Sequence, residues 1–416
     1  MGTNLLRLNV APLFILLLVS IIHNLPNIFR LRVGREEINK VLFVTMLYLV
    51  FGSISLVVNE PDFHSYFIYL FTPILIYLTL LGLYKDNARI DTTLKFLFIL
   101  GLIFAVYSNY LSATHALRPG HIEFEGVQYV AGGVSGAFTR QTVPGISSIE
   151  YASMLLLLVL TGLYFFRQAK GRHRHFYTAA LVFLMYTLLE TGTRSAMVSL
   201  AAALLYLTVK KWFTRTELFF GLLVFGGLIL KTQTIIFRLL STLTPYFSSL
   251  DGMTVFGSAL TTTVFNPRLY TLGSTLSLFL GKPIFGVGFT RFIEIQTSEI
   301  PALWDPVKEE LTEYSSIEHN HMWAMFGEAG AATALPYILT ILAIFFLINR
   351  LMKKRRSMDT RTRNLGILMA TGVIGSLIDM NFSATIYPYH WIWFGLAASW
   401  LRNTDRAFHS TCQPTT

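Results

Sequence analysis

The chain has 416 residues, of which 53% are hydrophobic and only 13% are charged. This balance lies outside the usual range of soluble globular proteins and is typical of a polytopic membrane protein. The net charge of +10 does not indicate a nucleic-acid-binding protein, because the basic residues lie in short connections between apolar runs. The single cysteine, Cys412, excludes an internal disulfide and a cysteine-based metal site.

Apolar runs of roughly the length that a bilayer requires, about 17–25 residues, follow one another along the chain. They predict eleven transmembrane helices, near residues 8–27, 41–58, 64–84, 93–112, 147–166, 176–191, 194–209, 215–231, 322–349, 365–381 and 385–401. The first run lacks a small-residue cleavage site and is interpreted as an anchor and not as a removed signal peptide. The predicted fold class is therefore all-α, with about 11–12 transmembrane helices in a single membrane-embedded domain over residues 1–416.

Basic residues are concentrated in every second connection, after the first, third, fifth, seventh, ninth and eleventh runs. The positive-inside rule makes these connections cytoplasmic. The other connections then face outward, including residues 111–145 and a long segment at residues 232–321. Apolar spacing in the long segment predicts helices at residues 235–250 and 269–279. This count places the N-terminus outside and the C-terminus inside.

Two arginines lie at outward boundaries, where the positive-inside rule disfavours them. Arg194 follows a run of hydroxyl-bearing residues and begins an apolar run, and Arg268 begins a predicted helix of the long segment. A guanidinium group presents a planar fork of donors that matches phosphate. The alternatives are an ion pair between Arg194 and Glu190, and, for Arg268, a surface charge that snorkels at the membrane interface.

A polar cluster lies at residues 315–323, where the long segment meets the ninth apolar run. It contains Glu318, His319, Asn320 and His321. His319 has an unperturbed pKa of about 6.5, so a neutral imidazole is available as a base or hydrogen-bonding group. Glu318 is an alternative base or a group that orients the ring. Two other interpretations stay open: these residues cap a transmembrane helix, or the two histidines bind a metal, although a spacing of two does not place them on one helical face.

Several catalytic signatures are absent from the sequence. No Walker loop, His-Glu-x-x-His helix, Gly-x-Ser-x-Gly elbow or Asp-x-Asp pair is found, which argues against an ATP-driven pump, a zinc hydrolase, a serine esterase and a nucleotide-sugar donor. What remains is histidine and arginine at an outward membrane surface. Such a place suits chemistry on a lipid-borne substrate.

Five short motifs, taken in order over about residues 130–345, resemble those of the O-antigen ligase and polymerase superfamily. The motifs are residues 189–195 (Leu-Glu-Thr-Gly-Thr-Arg-Ser), 266–268 (Asn-Pro-Arg), 281–289 (Gly-Lys-Pro-Ile-Phe-Gly-Val-Gly-Phe), 318–320 (Glu-His-Asn) and 328–330 (Glu-Ala-Gly). Each motif alone is weak, and their order and spacing together are much more specific. The chain departs from the family in its eleven predicted helices, where the family usually has twelve.

The resemblance implies a glycosyltransferase that needs neither metal nor cofactor. It implies transfer of a glycan from undecaprenyl diphosphate to an acceptor, on the periplasmic side of the bacterial inner membrane, with inversion of the anomeric configuration. The ligases use lipid A–core as the acceptor, and relatives polymerise O-antigen units or glycosylate proteins. The chain length and the context at residues 317–320 favour a ligase. A secondary transporter or flippase is the alternative from another class, but it is expected to carry charges at mid-membrane and to show repeat symmetry.

The resemblance also assigns roles to residues. Arg194 and Arg268 match the family's arginines and would hold the diphosphate, and His319 would accept the proton of the attacking sugar hydroxyl. Further candidates around the site, supported only by their position, are Arg140, Glu190, Tyr270, Glu318 and Asn320.

Overall fold

A computed structural model of the protein describes residues 37–59, 70–114, 120–124, 127–131, 134–135, 138–139, 143, 148–231, 254–255, 258–259, 267–288, 303–305, 310–312, 320–354, 358–381 and 388–411. Among these residues the chain forms eleven helices. They are α1 Glu37–Asn59, α2 Thr72–Leu83, α3 Asn87–Ala113, α4 Ser148–Gln168, α5 Arg172–Glu190, α6 Arg194–Val209, α7 Arg215–Lys231, α8 Pro267–Gly281, α9 His321–Lys354, α10 Thr360–Met380 and α11 Pro388–Thr411.

The described connections also contain four antiparallel two-stranded hairpins, which the sequence analysis did not predict. They pair β1 Gly120–Phe124 with β2 Val127–Ala131, β3 Val134–Ser135 with β4 Phe138–Thr139, β5 Thr254–Val255 with β6 Ser258–Ala259, and β7 Leu303–Asp305 with β8 Glu310–Thr312. The strands are short, so the helices determine the fold class.

The helices confirm the predicted all-α class of a polytopic membrane protein. Every predicted apolar run except the first coincides with a helix, and the run near residues 8–27 lies outside the described residues. α8 confirms the predicted helix at residues 269–279, whereas the one predicted at residues 235–250 is not among the described residues. Within the described part of the chain, α1, α3, α4 and α9 are long and apolar enough to cross a membrane, and α2 and α6 are shorter apolar helices.

The helices group into two compact units. Unit 1 contains α3, α4, α5, α6, α7 and α10 up to Asp379, and unit 2 contains α1, α2, α8, α9 and α11. One membrane-embedded domain over residues 1–416, with residues 232–321 as a periplasmic loop, stays a prediction.

Unit 1 is arranged around α4, which packs against α3, α5 and α6. A polar network joins three of its helices: the Tyr164 hydroxyl of α4 donates to Asp91 of α3 over 2.6 Å, and Arg361 of α10 donates to the other oxygen of the same carboxylate. Asn109 of α3 donates to the Thr187 hydroxyl of α5 over 2.8 Å. Because Asp91 is buried, it requires these donors to offset its lost hydration.

Unit 2 has an aromatic core between α1, α2, α9 and α11. Trp391 lies with its ring centroid 6.2 Å from Tyr48, 6.2 Å from Tyr77 and 5.8 Å from Tyr337. All four side chains are buried. Burial of large rings, with edge-to-face and offset contacts, is a main source of packing energy.

Arg402 is a buried arginine of unit 2 that holds the end of a helix. It donates to the carbonyl groups of Leu81 and Tyr84, at the C-terminus of α2. The last carbonyl groups of a helix lack partners within the helix, and a cation there also interacts favourably with the helix dipole. The eleventh predicted run ended at residue 401, which left Arg402 in the basic connection after it, but α11 continues to Thr411 and includes Arg402.

Asp359 begins α10 by accepting a hydrogen bond from the Thr362 backbone N–H over 2.9 Å. This is an N-cap, which satisfies one of the free N–H groups at the start of a helix. The hydrogen bond from Thr362 lowers the pKa of the Asp359 carboxyl below its usual range.

Candidate active site

The first part of the candidate site is the turn between α5 and α6. α5 ends at Glu190 and α6 begins at Arg194. Gly192 has a φ of 60°, a conformation that glycine adopts without strain and that ends many helices. The Thr193 hydroxyl donates to the carbonyl of Ser148, the first residue of α4, over 3.2 Å. The turn that carries both predicted side chains is therefore fixed to the start of α4.

Arg194 is the first residue of α6, and both it and Glu190 are half-buried. Both residues interact with other groups, and the predicted ion pair between them stays an alternative. The N-terminus of an α-helix carries about half a positive elementary charge. Guanidinium and helix dipole add positive potential at the same place, so this position favours an anion.

The second candidate arginine has a similar place in its helix. α8 begins at Pro267, and Arg268 and Tyr270 lie in its first turn. Proline suits the first position of a helix, because its φ is already helical and the N–H that it lacks would have no partner there. Arg268 therefore lies at a helix N-terminus, as Arg194 does.

The third part of the site is the start of α9. The Asn320 side-chain oxygen accepts a hydrogen bond from the Trp323 backbone N–H over 3.2 Å, so Asn320 is the N-cap of α9. This contact supports the capping interpretation of Asn320, and any role in the reaction stays a prediction. His319 and Glu318 directly precede this cap, and both lie outside the described residues, as does Arg140.

His321 is the first residue of α9 and faces the interior of unit 2. Its side chain is buried, its ring meets Tyr337 edge-on with the centroids 5.8 Å apart, and its Nε2 atom has no hydrogen-bond partner among the described residues. The described part of the chain contains no group of three or more His, Cys, Asp or Glu side chains that could hold a metal ion. His319 is outside that part, and metal binding by the two histidines stays an alternative.

α9 is interrupted at Gly330, whose φ and ψ are 72° and 172°. An interruption leaves backbone N–H and C=O groups without their helical partners, which is costly inside a membrane. Residues 282–288, the bridging loop, follow α8 and supply the missing partners. Four backbone hydrogen bonds of 2.8 to 3.1 Å do so: Val287 N–H to Gly327 C=O, Gly288 N–H to Glu328 C=O, Ala331 N–H to Pro283 C=O, and Ala332 N–H to Ile284 C=O.

Two glycines make this close approach feasible. A Cβ atom on Gly286 would stand 2.2 Å from the Glu328 carbonyl oxygen, and one on Gly330 would stand 2.2 Å from the Ile284 carbonyl oxygen. Both glycines also have positive φ, of 66° and 72°. Residues 281–288 of one motif and residues 328–330 of the other thus form one backbone structure that requires glycine on both sides.

Two side chains of α1 hold the bridging loop. Ser55 Oγ donates to the Phe285 carbonyl over 2.6 Å, and Asn59 Nδ2 donates to the same carbonyl over 3.1 Å. Lys282 Nζ donates to Asn59 Oδ1 over 3.5 Å. The sequence analysis missed Ser55 and Asn59. The signal that would have found them is their spacing of four residues, which puts two polar side chains on one face of an apolar helix.

α8 packs across the first half of α9. The ring centroids of Phe279 and Phe326 are 5.6 Å apart, and a Cβ atom on Gly327 would stand 3.0 Å from the Thr275 methyl group. The helix that carries one candidate arginine and the helix that follows the candidate base therefore form one packed structure.

The described candidate residues divide between the two units. Unit 2 contains Arg268, Tyr270 and Asn320, and unit 1 contains Glu190 and Arg194.

The helices and their apolar composition define an integral membrane protein with several spans. Residues 179–338 match the family described as O-antigen ligase. This match confirms the resemblance to the O-antigen ligase and polymerase superfamily, and it implies a glycosyltransferase-like enzyme of that kind. The match includes Arg194, Arg268 and His319, whereas Arg140 lies before it. No curated protein matches the chain.

Proposed function

We propose that the protein transfers O-antigen glycan from undecaprenyl diphosphate to a sugar hydroxyl of lipid A–core, at the periplasmic face of the bacterial inner membrane. The observation that carries this proposal is the family match over residues 179–338, which includes the three residues to which we assign the chemistry, Arg194, Arg268 and His319. Neither a metal nor a nucleotide takes part, because the diphosphate is already a good leaving group.

The reaction is a direct displacement at the anomeric carbon of the donor sugar. His319 removes the proton from the acceptor hydroxyl, the hydroxyl oxygen bonds to the anomeric carbon, and the bond from that carbon to the phosphate oxygen breaks. Undecaprenyl diphosphate leaves with the bonding electrons, and the anomeric configuration inverts. Arg194 and Arg268 stabilise the charge that develops on the leaving phosphate.

The positions of the two arginines support this assignment of roles. Each lies within the first two residues of a helix, Arg194 in α6 and Arg268 in α8. The guanidinium groups supply paired donors for phosphate oxygens, and the free N–H groups at a helix N-terminus are themselves a common setting for phosphate.

The interruption of α9 supports an enzyme over a transporter. In many transporters the ends of broken helices bind the transported substrate or ion with their free backbone groups. Here Gly330 interrupts the helix, but the bridging loop already binds the carbonyl groups of Gly327 and Glu328 and the N–H groups of Ala331 and Ala332. The two N–H groups are therefore not available to a ligand, and each of the two carbonyl groups already has a donor.

The experiment that tests the acceptor is deletion of the gene in its host, followed by electrophoresis of the lipopolysaccharide. Loss of a ligase leaves lipid A–core without O-antigen while carrier-linked polymer accumulates, and this is the expected result. Loss of a polymerase instead leaves core capped with a single repeat unit, which would contradict a ligase. The superfamily match alone does not distinguish a ligase from a polymerase, since both use the same donor chemistry.

The orientation of the protein is tested by labelling single cysteines in a variant whose Cys412 is replaced by serine. We expect a cysteine at Ser298 to react with an impermeant reagent from the periplasm and one at Ser357 to react from the cytoplasm. Labelling of both from the same side would contradict a periplasmic site.

A further inference from the structure

The carbonyl group of Phe285 is held in place within unit 2 by two side-chain hydrogen bonds. It accepts hydrogen bonds from Ser55 Oγ over 2.6 Å and from Asn59 Nδ2 over 3.1 Å, and both side chains come from α1. Both residues are buried, so neither bond is easily replaced by water. Two donors on one carbonyl hold the middle of the bridging loop to the end of α1.

The same loop determines where two other helices meet. α8 ends at Gly281, directly before the loop, and the loop binds α9 on both sides of Gly330 by four backbone hydrogen bonds. The bonds from α1 therefore act on the joint between α8 and α9, and on no side chain of the candidate site.

A small movement at this joint is enlarged at the far end of α8. Arg268 lies about 20 Å from the loop end of the helix, since each helical residue rises by about 1.5 Å. A tilt of about 3° at one end of a helix of that length moves the other end by about 1 Å. A displacement of that size at a reacting group is enough to cost about a hundredfold in rate.

We propose that Ser55 and Asn59 are positioning residues of the transfer reaction: by holding the Phe285 carbonyl, they fix α8, which carries Arg268, relative to the start of α9. This inference rests on the proposed function. It deepens that function by adding two residues that touch neither donor nor acceptor.

Lys282 is a less suitable candidate for a direct role. Its ammonium group lies 3.5 Å from Asn59 Oδ1, and it is at the opposite end of α8 from Arg268, about 20 Å away by the helical rise. A cation at that distance does not share one diphosphate with Arg268. Its contact instead helps to orient the Asn59 amide, whose NH₂ group then faces Phe285.

The test compares three variants of the purified, full-length protein in detergent. Asn59→Asp keeps an oxygen for Lys282 but removes the donor to Phe285, and Ser55→Ala removes the other donor. The control is Ser53→Ala, because the Ser53 hydroxyl donates to Leu49 of its own helix over 2.8 Å. Rates of glycan transfer are measured per folded protein, as judged by monodisperse elution.

We expect kcat to fall by about 10- to 100-fold in Asn59→Asp and Ser55→Ala. KM for the lipid-linked donor should change by less than about threefold, because a misplaced group weakens binding of the transition state more than binding of the substrate. Ser53→Ala should keep wild-type kinetics. If Asn59→Asp and Ser55→Ala lower only the yield of folded protein and leave kcat unchanged, the role of Asn59 and Ser55 is structural and the inference is overturned.

A second measurement distinguishes a positioning role of Asn59 from a general loss of rigidity of the protein. If Asn59 acts through Arg268, then Asn59→Asp should cost less than about twofold in the Arg268→Lys background, because residues that share one effect are not additive. A full additional loss in that background would overturn the inference. Absence of transfer by the wild-type protein would overturn the proposed function and this inference with it, whereas transfer that is insensitive to Ser55 and Asn59 overturns the inference alone.

Discussion

Gly330 lies directly against the backbone of Ile284: a Cβ atom on the glycine would stand 2.2 Å from the Ile284 carbonyl oxygen. The contact lies in the first third of α9, where the helix is interrupted, and it leaves no room for any side chain. It also explains in physical terms why two motifs far apart in the sequence occur together.

Replacement of either bridging glycine should destabilise the protein. In Gly330→Ala and Gly286→Ala the positive φ alone costs about 1–3 kcal/mol, and the new methyl group also meets a backbone carbonyl that cannot move aside. We expect the temperature of unfolding of the purified protein to fall clearly, measured by thermal unfolding in detergent.

The matched control is Gly273→Ala, on the adjacent α8. A Cβ atom there meets nothing within 4 Å, and alanine is favoured over glycine within a helix by about 0.5–1 kcal/mol. We expect this variant to unfold at or slightly above the wild-type temperature. Equal unfolding temperatures for Gly330→Ala, Gly273→Ala and the wild-type protein would contradict the backbone structure described above.

The sequence alone predicted the helices, but it did not predict the contact between the bridging loop and α9 at Gly330. Continuous apolar runs predict spans without knowledge of their neighbours, and α9 was found in this way. The interruption at Gly330 does not change the apolar pattern, and its partner loop follows a different helix. The resemblance gave both motifs as parts of one family pattern, but it did not show that they share hydrogen bonds.

Polar residues at the ends of apolar runs were harder to interpret. Asn320 was taken as a candidate for the site, although asparagine before an apolar run is also a signal for a helix N-cap, and the structure places it there. Arg402 was counted as a loop charge, because the positive-inside pattern does not distinguish a cation in water from one that caps α2. Local sequence gives the residue type, and only the tertiary contact decides between these roles.

Asp359 should stabilise the N-terminal end of α10 in a pH-dependent way. Asp359→Ala removes the cap and should cost about 1 kcal/mol at neutral pH. Since the carboxyl has a lowered pKa in the folded protein, its extra stabilisation is present above the unfolded pKa and is lost as the pH falls through the folded pKa. The difference in stability between the wild-type and alanine proteins should therefore shrink in strong acid, and a constant difference from pH 7 to pH 3 would contradict this account.

Lysine should replace either candidate arginine poorly. In Arg194→Lys and Arg268→Lys the charge remains, but the planar fork of donors is lost. One lost charge-assisted hydrogen bond is worth about 1.5–3 kcal/mol, or about 10- to 100-fold in rate. The control is Arg174→Lys, whose arginine pairs with Glu217 over 2.7 Å and is no part of the candidate site. Full glycan transfer by both lysine variants would remove the diphosphate role.

His319 is expected to be the general base. A base contributes about 10²- to 10⁴-fold in rate, so His319→Ala should lose most transfer while the protein still inserts and binds the donor. His319→Gln keeps hydrogen bonding but cannot accept the proton, and it should lose activity to a similar extent. The control is His173→Gln, an exposed histidine in the first turn of α5. Near-normal transfer by the glutamine variant, with an unchanged pH profile, would make His319 a binding residue and Glu318 the next candidate.

The most direct test of the proposed enzyme is glycan transfer by the purified protein in detergent, with undecaprenyl-diphosphate-linked glycan and lipid A–core as the only substrates and EDTA present. Detergent removes the sealed compartment that transport requires, and EDTA removes free divalent metal. We predict that the glycan moves to lipid A–core with inversion and that His319→Gln protein, prepared in the same way, shows little transfer. Absence of transfer by well-folded wild-type protein, or transfer that depends on added metal, would contradict the account.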